Sequence, residues 1–118
     1  YLPYKYDKNC VCYAGTHDNA TLKEWKETGD KAEIAFAKEY FGITGRSSFN
    51  FGIIKGGMAS TADLFITQMQ DYLELGKEAR TNVPGVADGN WKWRMKKGAA
   101  TDKLAEKIAH ITEMYGRA

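Results

Sequence analysis

Two short apolar runs, residues 10–14 and 64–68, constrain this chain more than any other feature. The first, Cys10-Val-Cys-Tyr-Ala14, and the second, Leu64-Phe-Ile-Thr-Gln68, have the length and composition of buried strands. Polar residues follow within three positions, His17, Asp18 and Asn19 after a Gly15-Thr16 break in the first and Gln70-Asp71 after the second. Parallel pairing of two strands needs a long crossover, and the roughly fifty residues between these runs are ample for helices. The expectation is an α/β chain of two successive strand-turn-helix units, mostly helical by residue count. In such folds reactive groups sit where a strand has just ended and the chain turns toward its helix.

The turn after the first run therefore carries two readings. A carboxylate at Asp18 can stabilise developing positive charge or take part in proton transfer, and the His17 imidazole can donate to a substrate oxygen. Alternatively, Asp18 or Asn19 merely caps the next helix, as those residue types commonly do. Thr21-Leu-Lys-Glu24 has the spacing of a capping box and predicts a helix over 21–28, stopped near Gly29.

Further helices follow from apolar spacing. Ala32, Ala35, Phe36 and Ala37 among charges predict a helix over 30–40 ended by Gly42, with Tyr40 and Phe41 packed inward. Ser48 opens a segment in which Phe51, Ile54, Met58, Ala59 and Ala62 recur at three and four residues. Its glycines, Gly52, Gly56 and Gly57, lower helix propensity but allow close packing against a neighbouring strand. Leu104, Ile108, Ile111 and Tyr115 form one stripe of a closing helix, with Thr101 or Asp102 as cap and Gly116 as stop. His110 lies beside that stripe and is read as surface or packing.

Residues 73–94 exceed most structureless connections, and loops of that length are usually functional or disordered. Trp91 and Trp93 can offer faces to a ligand or wedge the loop onto the body. Glu78 and Arg80 can pair with each other or with loop carbonyls. Asp71 is either a further acidic site residue or an acceptor for backbone N–H groups in the loop that follows. The local basic run Lys92, Arg94, Lys96 and Lys97 could support base stacking beside the tryptophans. A net charge of +2, from 17 basic and 15 acidic residues, gives nucleic acid no wider electrostatic case. No apolar run approaches the roughly 20 residues of a membrane span. Cys10 and Cys12 lie too close for an unstrained bridge and lack zinc partners, which suits free buried thiols in a reducing compartment.

Tyr13-Ala-Gly-Thr-His-Asp-Asn19, preceded by Tyr1-Leu-Pro3 and followed by Trp25, resembles a hallmark motif of the amylomaltases, or 4-α-glucanotransferases. A second block is similar to the closing motif of the same family. It comprises Met69-Gln-Asp-Tyr-Leu-Glu-Leu-Gly76, Glu78-Ala-Arg80, Asn82, Pro84-Gly85 and Gly89-Asn-Trp-Lys-Trp-Arg94. The resemblance implies a (β/α)₈ barrel acting on α-1,4-glucans by a retaining mechanism. It covers only the C-terminal part of that family, and 118 residues are too few for a barrel of ~250. Residues 1–118 then form a single partial domain, the last strand-helix units of the barrel, with nucleophile and general acid/base outside the chain.

For Asp18 the resemblance implies the role of transition-state stabiliser, and for His17 and Asn82 contact with bound sugar. It implies no metal or organic cofactor, an α-1,4-glucan or maltooligosaccharide partner, and a cytoplasmic location (plastid in a plant). Two departures stand out. Ala20 replaces the second Asp of the usual His-Asp-Asn-Asp-Thr, and Tyr4 stands where the family usually has His. A competing reading is a non-catalytic glucan-binding or structural domain. A fragment with open strand edges is also expected to form a homo-oligomer.

Overall fold

The computed structural model describes residues 2–118, so Tyr1 of the first motif lies outside the described residues. Its centre is a two-stranded parallel sheet of β1 (Val11–Tyr13) and β2 (Leu64–Ile66), paired Val11 with Leu64, Cys12 with Phe65 and Tyr13 with Ile66. The crossover between them holds three helices, α1 (Leu22–Thr28), α2 (Lys31–Tyr40) and α3 (Phe49–Met58). After β2 come a single helical turn, α4 (Met69–Tyr72), and a closing helix, α5 (Asp102–Met114). The expected pair of strand-turn-helix units is therefore present. Helix outweighs strand, but irregular segments hold the larger share of the chain, which corrects the expectation of a mostly helical one.

Local chemistry starts each long helix. Thr21 Oγ1 accepts from the Glu24 amide at 3.2 Å, and Asp30 Oδ1 accepts from Ala32 and Glu33 at 2.9 and 3.0 Å. Ser48 Oγ accepts from Phe51 at 3.2 Å and Thr101 Oγ1 from Leu104 at 3.1 Å. Each such cap is worth about 1 kcal/mol. Gly42, at φ +63°, ends α2 in a left-handed turn: its amide donates to Glu39 O and that of Ile43 to Lys38 O. Gly116 closes α5 by the same pattern, with Arg117 N–H on Thr112 O.

That turn delivers Ile43 and Phe41 onto the glycine face of α3. A Cβ at Gly52 would lie 2.4 Å from Ile43, and one at Gly56 would lie 2.0 Å from the Phe41 ring. At Gly57 it would meet the Phe65 ring of β2 at 2.2 Å, so this glycine does let α3 approach the sheet closely. Leu22, Phe51, Ile54, Met58 and Ile111 form the core, with Trp25, Phe65, Tyr72 and Leu104 packed against it.

The helices cover only one face of the sheet. Cys12 is buried, whereas Val11, Tyr13, Leu64 and Ile66 on the other face are 42–52 % exposed. Side chains alternate along a strand, so a sheet covered on one side hides only every second residue. The fully buried strands expected from composition are thus half-buried here. Tyr40 also differs from expectation: it is exposed, lying against Phe36 and edge-on to Phe41, while Phe41 is half-buried. Cys12 is buried and Cys10 half-buried, both as free thiols. Among the described residues no helix is long and apolar enough to cross a membrane.

Candidate functional site

The turn beyond β1 is closed by its own side chains. Asn19 Oδ1 accepts from the amide and hydroxyl of Thr16 at 2.8 and 2.9 Å. Gln68 Nε2, just past β2, donates to Thr16 O at 2.9 Å and ties the two strand ends together. Neither Asp18 nor Asn19 caps α1, because Thr21 does. That leaves the Asp18 carboxylate available for other contacts.

Those contacts come from the long loop. Asn82 Nδ2 donates to Asp18 Oδ1 at 2.6 Å, and the Asn82 amide donates to His17 O at 3.1 Å. His17 Nε2 lies 3.4 Å from the same Oδ1. The three residues singled out by sequence, Asp18 and Asn82 being 64 positions apart, therefore meet at the end of one sheet. Both His17 and Asp18 side chains remain about half exposed. One oxygen of Asp18 is held by the Asn82 side-chain amide with the His17 imidazole beside it, while Oδ2 has no partner among the described residues. A carboxylate so oriented can accept from a hydroxyl group or face a developing positive charge.

Trp91 adds an aromatic wall. Its ring centroid is 5.0 Å from that of His17, and 63 % of the residue is exposed. Its backbone takes the left-handed conformation, φ +61°, held by its amide donating to Thr81 O at 2.7 Å. That conformation is uncommon and costly for a bulky residue, and such backbone tends to cluster at functional sites. Trp93, by contrast, is half-buried. Of the two readings of this pair, the exposed face belongs to Trp91.

Arg80 pairs with loop carbonyls, as one reading allowed, but its carboxylate partner is Glu24 rather than Glu78. Nη2 donates to Asp18 O at 2.9 Å, Nε donates to Asn82 O at 3.0 Å, and Nη1 lies 3.5 Å from Glu24 Oε1. Glu78 instead accepts from the Gly76 amide at 3.0 Å, and its own backbone amide together with that of Gly76 holds its exposed carboxyl below the usual range. Sequence reasoning missed Glu24 as a site-supporting residue, having seen it only as half of a capping box. Spacing carries no signal for a pairing across 56 positions; only its burial in the fold reveals it.

Asp71 is not an acidic site residue. It is 1 % exposed, and its Oδ1 accepts from Leu22 N–H at 2.8 Å, fixing the start of α1 rather than the loop that follows. Its own carbonyl accepts from Asn50 Nδ2 at 2.9 Å. Burial pushes its carboxyl above the ordinary value, against the pull of the Leu22 amide and the Thr67 hydroxyl. A carboxyl whose pKa rises on folding favours the folded state most when protonated. Its contribution is therefore complete below the unfolded value, ~3.9, and is lost as pH rises through the raised folded value. Asp71→Asn keeps an acceptor oxygen for Leu22 and abolishes this titration. Denaturant melts between pH 4 and 7 are expected to show the variant gaining on the native protein as pH rises. A constant difference would refute the assignment.

The sequence pattern of the family described as 4-alpha-glucanotransferase matches residues 1–101. The chain is 49 % identical over 118 residues to the 4-alpha-glucanotransferase of Clostridium butyricum, covering 99 % of this chain and 24 % of that protein. It is 37 % identical over 124 residues to the Thermus thermophilus 4-alpha-glucanotransferase, covering 99 % and 25 % respectively. To the chloroplastic/amyloplastic 4-alpha-glucanotransferase of Arabidopsis thaliana it is 37 % identical over 120 residues, covering 99 % and 21 %. In three dimensions it resembles the amylomaltase of Streptococcus agalactiae, solved in complex with acarbose. The TM-score is 0.94 at 32 % identity, covering 99 % of this chain and 24 % of that one. The chain thus spans about a quarter of the length of the relatives it matches.

Proposed function

The chain belongs to the 4-alpha-glucanotransferase family, and from that premise we propose that it is the closing part of a larger (β/α)₈ enzyme transferring α-1,4-glucan segments between maltooligosaccharides. The observation that carries this reading is the 2.6 Å contact of Asp18 with Asn82, made beside His17 at the end of the parallel pair. Transfer proceeds by retention, through a covalent glycosyl-enzyme intermediate on a carboxylate outside these residues. A second carboxyl outside them serves as general acid and then as general base.

Within that scheme Asp18 faces the sugar carbon that bears positive charge in the oxocarbenium-like state. Its ionised form lowers the energy of that state more than of the neutral ground state. Asn82 holds Oδ1, which orients Oδ2 toward the substrate. His17 donates to a sugar hydroxyl, and the Trp91 face beside it stacks on the ring. The carboxylates supply the chemistry without a metal or organic cofactor. The enzyme works in the cytoplasm, or in the plastid for plant members, consistent with the naming of the Arabidopsis relative. Neither nucleic acid nor membrane is a partner in this reading. Taken alone, the chain pairs its bare sheet face and open edges with a second copy.

Incubation with maltotriose tests the reading. The isolated chain is expected to form no glucose or longer maltooligosaccharides, whereas the intact enzyme forms both. Disproportionation by the isolated chain would overturn the assignment of nucleophile and acid/base to other segments. The exposure of Trp91 beside His17 favours a second reading, a module that binds glucan without chemistry. For that module, maltooligosaccharide titration of the isolated chain would change tryptophan fluorescence, and the intact protein would show no transferase activity.

A further inference from the structure

The Asp18–Asn82 contact joins two loops with no regular structure of their own at that point, so something must hold the two backbones in place when substrate competes for the side chains. Arg80 is built to do so. Its guanidinium is a planar fork of five N–H donors in fixed geometry. Two of its nitrogens engage the main-chain carbonyls of the very residues whose side chains meet, Nη2 on Asp18 O at 2.9 Å and Nε on Asn82 O at 3.0 Å. The third nitrogen, Nη1, points to Glu24 Oε1 at 3.5 Å, on α1.

Burial explains why Glu24 is required. The Arg80 side chain is 20 % exposed and that of Glu24 11 %, so each charge is largely withdrawn from water. A charge in that setting is tolerated when it is paired, and removing one partner leaves the other unpaired. The Arg80 backbone is restrained as well. Gln70 Nε2 donates to Ala79 O at 3.2 Å and to Thr81 Oγ1 at 3.0 Å, bracketing Arg80 on both sides. The guanidinium plane therefore links α1, the turn after β1 and the Asn82 loop as one unit.

We propose that Arg80, anchored by Glu24, is the positioning residue that holds Asp18 in register with Asn82 and the substrate. The proposal rests on the reading of Asp18 as a charge stabiliser. Arg80 does not touch the reacting atoms; it acts through the Asp18 main chain. Lysine cannot replace it, because a single ammonium on a flexible stem cannot serve three separated acceptors at once.

The test uses the intact enzyme, with maltotriose as substrate, and the variants Arg80→Lys, Glu24→Gln and Asp18→Asn. Arg80→Lys is expected to lower kcat about 100-fold, the scale of a small misplacement of a catalytic group. KM is expected to stay within about threefold, since the loss falls on the transition state rather than on ground-state binding. Glu24→Gln is expected to lower kcat about tenfold, and adding it to Arg80→Lys to cost little more, because both act through one contact. In an Asp18→Asn background, Arg80→Lys should leave the residual rate unchanged. The same loss in that background, or a kcat for Arg80→Lys within about twofold of the native value, would overturn the proposal. If Arg80→Lys does not fold, Glu24→Gln decides alone: a native kcat refutes the anchor. An Asp18→Asn enzyme with native kcat would instead show that the reading of Asp18 fails, and the role of Arg80 fails with it.

Discussion

Asp18→Asn is expected to lower kcat of the intact enzyme by about 10²–10³-fold while leaving the fold in place. The substitution is nearly isosteric, and an Asn side chain can still present an oxygen to Asn82 Nδ2, so geometry is preserved and only charge is lost. A unit charge about 4 Å from a developing positive centre is worth about 4 kcal/mol at an effective dielectric constant near 20. The half exposure of Asp18 in this chain argues for the lower part of that range until substrate displaces water. Because the sugar is neutral in the ground state, KM should move far less than kcat. Steady-state rates with maltotriose measure both. A kcat within about tenfold of the native enzyme would show that the charge at this position does not stabilise the transition state.

The largest effect on stability is expected at Ile54. It is 0 % exposed and packs among Leu22, Phe51, Met58 and Ile111, where α3 meets α1 and α5. Ile54→Ala is expected to cost about 2–5 kcal/mol, against about 0.5–1.5 for Ile54→Val. The upper part of the first range is favoured by the glycine-lined surface of α3. Phe41, Ile43 and Phe65 already rest on its backbone, so the helix cannot shift inward to fill a cavity without moving them. Chemical denaturation of the intact enzyme, followed by far-ultraviolet circular dichroism, reads the difference. Equal losses for the Ala and Val variants would mean that the site collapses freely and that this packing does not restrain it.

The features legible in the sequence are those whose causes are local. Thr21 and Thr101 announced their helices because a cap bonds an amide only three residues away. Gly42 marked the end of α2 because a left-handed residue is needed there. The two apolar runs announced strands, and their spacing announced a parallel crossover. The grouping of His17, Asp18 and Asn82 was anticipated through the family resemblance rather than through spacing. Sequence periodicity carries no measure of contact between residues 17 and 82. The exposure of Val11, Tyr13, Leu64 and Ile66 was not legible, because an apolar run reads the same whether one face of its sheet or both are covered.

What the chain dictates by itself is therefore its element order, its caps and the polar turns that close its strands, since these depend on interactions within a few residues. Tertiary structure alone decided that Asp71 holds the start of α1 instead of serving the site. It also decided that Arg80 turns from its near neighbour Glu78 to Glu24, and that Trp91 lies against His17. For Asp71 and Arg80 the reason is the same. A buried carboxylate or guanidinium must take whatever partner folding brings within reach, and that partner is set by packing of distant segments rather than by separation along the chain.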